Sequence, residues 1–141
     1  MNINGNASFN IAEDLFEKNQ YESAFEIFEK LAENEQNEAC IRAEACNMLG
    51  IIISGPCPYL SERNHEVDES GVQYFKAAMT LDPKNIGAAH NIIDAFYEGP
   101  TGHQDVNLAK QACENLMRWN LTKITPEEKA KISKILELED F

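Results

Sequence analysis

The chain reads as an all-α fold, a row of about three helical hairpins closed by a C-terminal capping helix. Three observations lead there. Apolar residues recur at three- and four-residue spacing along most of the 141 residues, the period of a helix with one buried face. Gly55-Pro56, Asp82-Pro83 and Gly99-Pro100 interrupt that period and end helices, because proline cannot continue a helix. The stretch Ala43 to Asn85 reads as a helix, an irregular loop and a second helix, and the chain on either side divides into weaker copies of that unit. Residues 1–141 are therefore expected to form one helical-repeat domain, with hairpins over about 8–34, 38–81 and 85–120 and a cap over 126–138.

The first six residues, rich in Asn and Gly, are expected to fray. Ile11, Ala12, Leu15 and Phe16 mark a first helix from Ser8 to Lys18. A short Asn19-Gln20 turn returns a second helix, Tyr21 to Asn34, antiparallel to it, with Ala24, Phe25, Phe28 and Leu31 inward and Glu22, Glu26, Glu29 and Glu33 outward. The third helix, Glu38 to Ser54, ends at Gly55, a candidate left-handed cap. Gly50 inside it costs about 1 kcal/mol against alanine, which predicts the close approach of another helix. Gly55 to Glu66 has two prolines and no helical period, and reads as a loop. Asp68 is the expected cap of a fourth helix carrying Val72, Phe75, Ala78, Met79 and Leu81. A fifth helix, Asn85 to Glu98, and a sixth, Asp105 to Asn120, flank the second Gly-Pro loop. Thr125, Pro126 and Glu128 form a helix-start signature for the last one, whose Ile132, Ile135 and Leu136 share a face as a terminal lid requires.

Charge limits the partners. The 24 acidic and 12 basic side chains leave −12, which argues against a nucleic acid or an anionic membrane and for a basic protein. Residues 1–70 hold 14 acids and 4 bases, net −10, against 10 and 8, net −2, over 71–141. No apolar run approaches the ~20 residues that cross a bilayer, and the opening MNINGN lacks the basic start and apolar middle of an export signal, so the expected location is the cytoplasm. Cys40, Cys46, Cys57 and Cys113 include no C-x-x-C pair and are expected as free thiols, Cys57 the exposed one. No metal, cofactor or catalytic motif is legible, and the expected role is non-enzymatic.

Ala43, Ala45, Leu49 and Gly50 in one helix, with Tyr74, Phe75, Ala77, Ala78, Leu81, Asp82 and Pro83 in the next, carry a likeness to a known family. The chain resembles the tetratricopeptide repeat superfamily, and its second and third copies resemble the Sel-one-like subclass, whose loop-opening glycine Gly55 and Gly99 match. Cys46, Gly71 and Asp94 depart from the family pattern. The resemblance implies a right-handed α-solenoid whose first helices line a concave groove. That groove would show Phe9, Glu13, Phe16 and Glu17, then Glu44, Asn47, Ile51 and Ser54, then Ala88, Asn91, Ala95 and Glu98. Asn47 and Asn91 fall at equivalent positions, suited to gripping an extended backbone through their amides.

Two loops add a candidate contact patch, Tyr59, Arg63 and His65 on one and His103 and Gln104 on the other. His90, beside small and apolar residues, reads as a half-buried structural histidine. The expected function is a protein-binding module with an acidic groove for a basic protein or peptide. The alternative is an antitoxin- or immunity-type inhibitor that blocks a basic toxin such as a nuclease.

Overall fold

Two helices joined by so short a turn must fold back on each other, and the first turn shows how this sequence achieves it. The computed structural model of the chain describes residues 5–98, 105–120 and 123–138, the side chains of residues 97 and 98 excepted. Helix α1 spans Gly5–Glu17 and α2 spans Tyr21–Glu33. Between them Asn19 takes a left-handed φ of 64°, Asn19 N–H donates to the Phe16 carbonyl at 3.0 Å and Gln20 N–H to that of Leu15 at 2.9 Å. This is the paired closure that satisfies the last carbonyls of a helix, with asparagine in the place glycine usually takes. Helix α1 begins at Gly5, so Gly5 and Asn6, expected to fray, are helical; residues 1–4 lie outside the described residues.

The remaining helices are α3 (Ala39–Ser54), α4 (Val72–Leu81), α5 (Ile86–Glu98), α6 (Val106–Trp119) and α7 (Pro126–Leu136), with a 3-10 helix over Pro58–Arg63. Among the described residues there is no strand. Each helix packs on the next in sequence, and α1 also reaches α3. Other contacts skip a helix as well. Phe25 of α2 meets the edge of Tyr74 of α4 at 6.3 Å between ring centres, and Asn91 of α5 donates to Asn47 of α3 at 2.9 Å.

Among the described residues, helix ends follow their sequence signals with two exceptions, and the Gly99-Pro100 stop lies outside those residues. Asp105 accepts from Leu108 N–H at 3.0 Å, and Thr125 accepts from Glu128 N–H at 3.1 Å beside Pro126, as the capping residues predict. The carbonyls ending α2 are taken by Asn37 Nδ2 at 3.1 Å and Arg42 Nε at 2.9 Å. The first exception is Asp68, which does not cap α4. Its carboxylate accepts instead from Ser70 N–H at 2.9 Å and Gln73 Nε2 at 3.1 Å, building a turn, and α4 starts only after Gly71. The second is Gly55, which leaves α3 at φ −122° rather than in the left-handed conformation.

The centre of the fold is a seam of small residues. Gly71 has φ +70°, and a Cβ there would lie 2.5 Å from the Gly50 carbonyl oxygen. A Cβ on Gly50 would in turn lie 2.5 Å from the Phe75 ring, so both glycines are fixed by the closeness of α3 and α4. Ala43, Cys46, Ala78 and Ala88 continue the seam. On one side lies an aromatic core, including Phe25, Phe28, Leu49, Ile52 and Ile53. On the other lies a mainly aliphatic one, including Met79, Ile92, Leu116, Ile132 and Ile135 beside Phe75.

Candidate functional site

The groove residues implied by the family likeness divide between surface and interior. Glu13 and Glu17 are exposed on α1. Glu44 is exposed on α3, and its Oε1 accepts from Asn85 Nδ2 at 2.6 Å. Asn85 is itself buried and accepts from Ala88 N–H at 2.9 Å, so one side chain starts α5 and ties it to α3. Periodicity offers no signal for Asn85 beyond its place after Asp82-Pro83.

Asn47 corrects the reading of the aligned amides. It is only 5% exposed and its Oδ1 takes the hydrogen bond from half-buried Asn91. The two side chains grip each other across the α3–α5 contact, because a buried amide without a partner costs about 1–3 kcal/mol. Ala88, read as groove-lining, is also fully buried. Ile51 and Ala95 are half-buried against the aliphatic core. Phe9 stands edge-on to Phe28 at 5.3 Å, and Phe16 to Tyr21 at 5.4 Å, so both serve the core while keeping part of their surface. Ser54 is exposed and donates to the Ile51 carbonyl at 3.3 Å. Glu98 ends α5, its side chain outside the described residues, as are His103 and Gln104.

The first loop is less a free patch than a strap. Leu60 and Cys57 are buried beneath it, while Arg63 Nη2 reaches Glu29 of α2 at 2.7 Å and the Tyr59 hydroxyl donates to Glu22. That hydrogen bond to a carboxylate raises the Tyr59 pKa above its ordinary value. His65 stays exposed. Cys57, expected as the exposed thiol, is 5% exposed, and Cys40 is the exposed one instead. Burial pushes the Cys46 thiol up to about 11 and the Cys113 thiol up to about 12, which keeps both protonated and inert at neutral pH.

The chemistry available is correspondingly sparse. His90 Nδ1 lies 3.4 Å from Glu128 Oε2, joining α5 to α7, and the small cleft around them is lined by Ile93, Asp94, Leu116, Lys131 and Ile132. Those residues include no hydroxyl or thiol for the histidine to activate. Among the described residues no group of three or more His, Cys, Asp or Glu side chains is placed to hold a metal ion, and no helix is long and apolar enough to cross a membrane. On the surface lie the carboxylates of α1, α2 and α3, a cleft of about 280 Å³ between α1 and α2, and one of about 310 Å³ whose lining includes Tyr21, Cys57 and Tyr59. Compared with protein-family models, with curated proteins and with solved structures, the chain matches none.

Proposed function

We propose that the chain is a non-catalytic protein-binding module, a right-handed α-solenoid of three hairpins (α1–α2, α3–α4, α5–α6) with α7 as its cap, of tetratricopeptide type. Three contacts support the hairpin reading: α1 reaches α3, α3 is tied to α5 through Asn47–Asn91, and α2 touches α4 through Phe25–Tyr74. Such contacts between the first helices α1, α3 and α5, and between the second helices α2 and α4, are of the kind that stacked hairpins require.

The observation that carries the function is the exposed acid of that first-helix layer. Glu13, Glu17 and Glu44 face solvent in the half of the chain whose net charge is −10. A field of that sign speeds capture of a basic partner and turns away nucleic acid. With Asn47 withdrawn into the interior, the grip is electrostatic and made by carboxylates.

A pull-down with the whole chain identifies the partner, and a triple Glu13→Lys, Glu17→Lys, Glu44→Lys variant tests the surface. Association with that partner is expected to slow by about tenfold or more, and raising salt from about 0.05 to 0.5 M to act the same way. Unchanged association in both cases overturns the reading. One tight partner whose activity is lost on binding marks an inhibitor; several weak ones mark an adaptor.

A further inference from the structure

The cleft between α1 and α2 is an apolar concavity that the groove reading does not use. Its floor is Ile11, Ile27 and Leu31, and Lys30, Asn34 and Asn37 stand round it. Ile11 is 57% exposed although its neighbour Ala12 is fully buried, so the apolar stripe of α1 is wider than its own partners cover. An amphipathic helix with a surplus apolar edge leaves room for one more element.

We infer that this cleft receives the apolar side chains of a basic amphipathic helix belonging to a partner protein. The inference rests on the reading of the chain as a binder of basic proteins and adds a second contact, away from the groove. Charge selects the sign. The cleft sits in the half carrying −10; Asp14, three residues beyond Ile11 on α1, is paired with Lys18 at 2.8 Å, but exposed Glu26 and Glu33 flank Lys30 on α2. Lys30 therefore lies between two acids on its own helix face, and the surroundings stay negative. A second copy of the chain would bring another acidic half against this one, which like-charge repulsion disfavours. A helix with leucines on one face and lysines on the others meets both demands.

The probe is a synthetic amphipathic peptide of about 15 residues, long enough to form a helix on binding, with leucine on one face and lysine elsewhere. A twin carries glutamate for lysine. Both are titrated against the whole chain by fluorescence anisotropy at about 0.15 M salt. The lysine peptide is expected to bind and its twin to bind at least tenfold more weakly. Ile11→Asp is expected to weaken the lysine peptide tenfold or more even though it adds a negative charge, and the neutral Ile11→Ser by a similar factor. Circular dichroism identical to the parent is expected for both variants, since Ile11 is on the surface.

No binding of the lysine peptide, equal binding of the twin, or indifference to both Ile11 substitutions overturns the proposal. So does a concentration-dependent dimer in sedimentation that Ile11→Asp abolishes, which would make a second copy the occupant. A tenfold gain in peptide affinity from Ile3→Ser overturns it too, because the chain's own start would then be the occupant. If Ile11→Asp releases the peptide while groove charge reversal leaves partner binding intact, the groove reading falls and the cleft stands; the reverse pattern removes the cleft alone.

Discussion

The two ends of the helix row are finished differently. At the C-terminal end α7 lays Ile132 and Ile135 over α5 and α6, both isoleucines buried, and Thr125 and Pro126 start it cleanly. At the N-terminal end α1 keeps Ile11 largely in solvent above an apolar cleft. The cores differ too, the one at the first end richer in aromatic rings, and so does the charge, −10 against −2. A terminal apolar face must be covered by the chain or by something else. Apolar side chains also reach solvent at the C-terminal end, where Met117 is 42%, Trp119 43% and Leu138 40% exposed, so what sets the N-terminal end apart is the pairing of apolar surface with acid, the combination that suits recognition.

The contrast can be sharpened by substitutions in the seam and at each end. The largest effect is expected at the seam: Gly71→Ala places a Cβ against the Gly50 backbone at a left-handed φ and should cost about 4 kcal/mol, read as the shift in a urea melt. If the halves melted separately in that variant, they would be more independent than the seam implies. Ile135→Ala empties a fully buried site under α7 and should cost about 3 kcal/mol; a loss under 1 kcal/mol would mean that the cap is loosely held. Asn47→Ala leaves the Asn91 amide without its acceptor and should cost about 2 kcal/mol, while leaving capture of a basic partner unchanged, a result that separates its internal role from a gripping one. The smallest effect is at the N-terminal end, where Ile11→Ala should alter stability by less than about 0.5 kcal/mol. A larger loss would show that Ile11 works in the core after all.

Much of this was legible because it is local. The three-and-four spacing located seven helices, and Asn19-Gln20, Thr125-Pro126 and Gly50 announced a turn, a helix start and a tight crossing that the structure contains. The misses are long-range. Asn47 is in helical register both with exposed Glu44 and Ser54 and with buried Ala43 and Gly50, and the arrival of α5 with Gly87 and Asn91 decides that it is hidden. Cys57, between two prolines, looked like a loop thiol, yet the loop folds down and Cys40 is left outside. Asp68 was the expected cap on composition alone, but Gly71 supplies the left-handed turn that lets α4 approach α3, and the helix begins there. As for the site, the sequence marked Glu13, Glu17 and Glu44 as surface acids; it did not mark Ile11 as surplus, because its position on α1 fits an amphipathic helix and only the shape of α2 shows that nothing within the described chain covers it.

The segment that runs from Gly55 back across α2 has one more consequence. Arg63 and Tyr59 anchor it to Glu29 and Glu22, and Leu60 and Cys57 are sheltered by the first hairpin's neighbourhood. The opening hairpin is therefore not a detachable cassette. Trimming the chain before α3 would strip the cover from Leu60 and Cys57 and cut both polar anchors at once, so shortened or chimeric versions of this chain have to keep residues 5–71 together as a single unit of exchange.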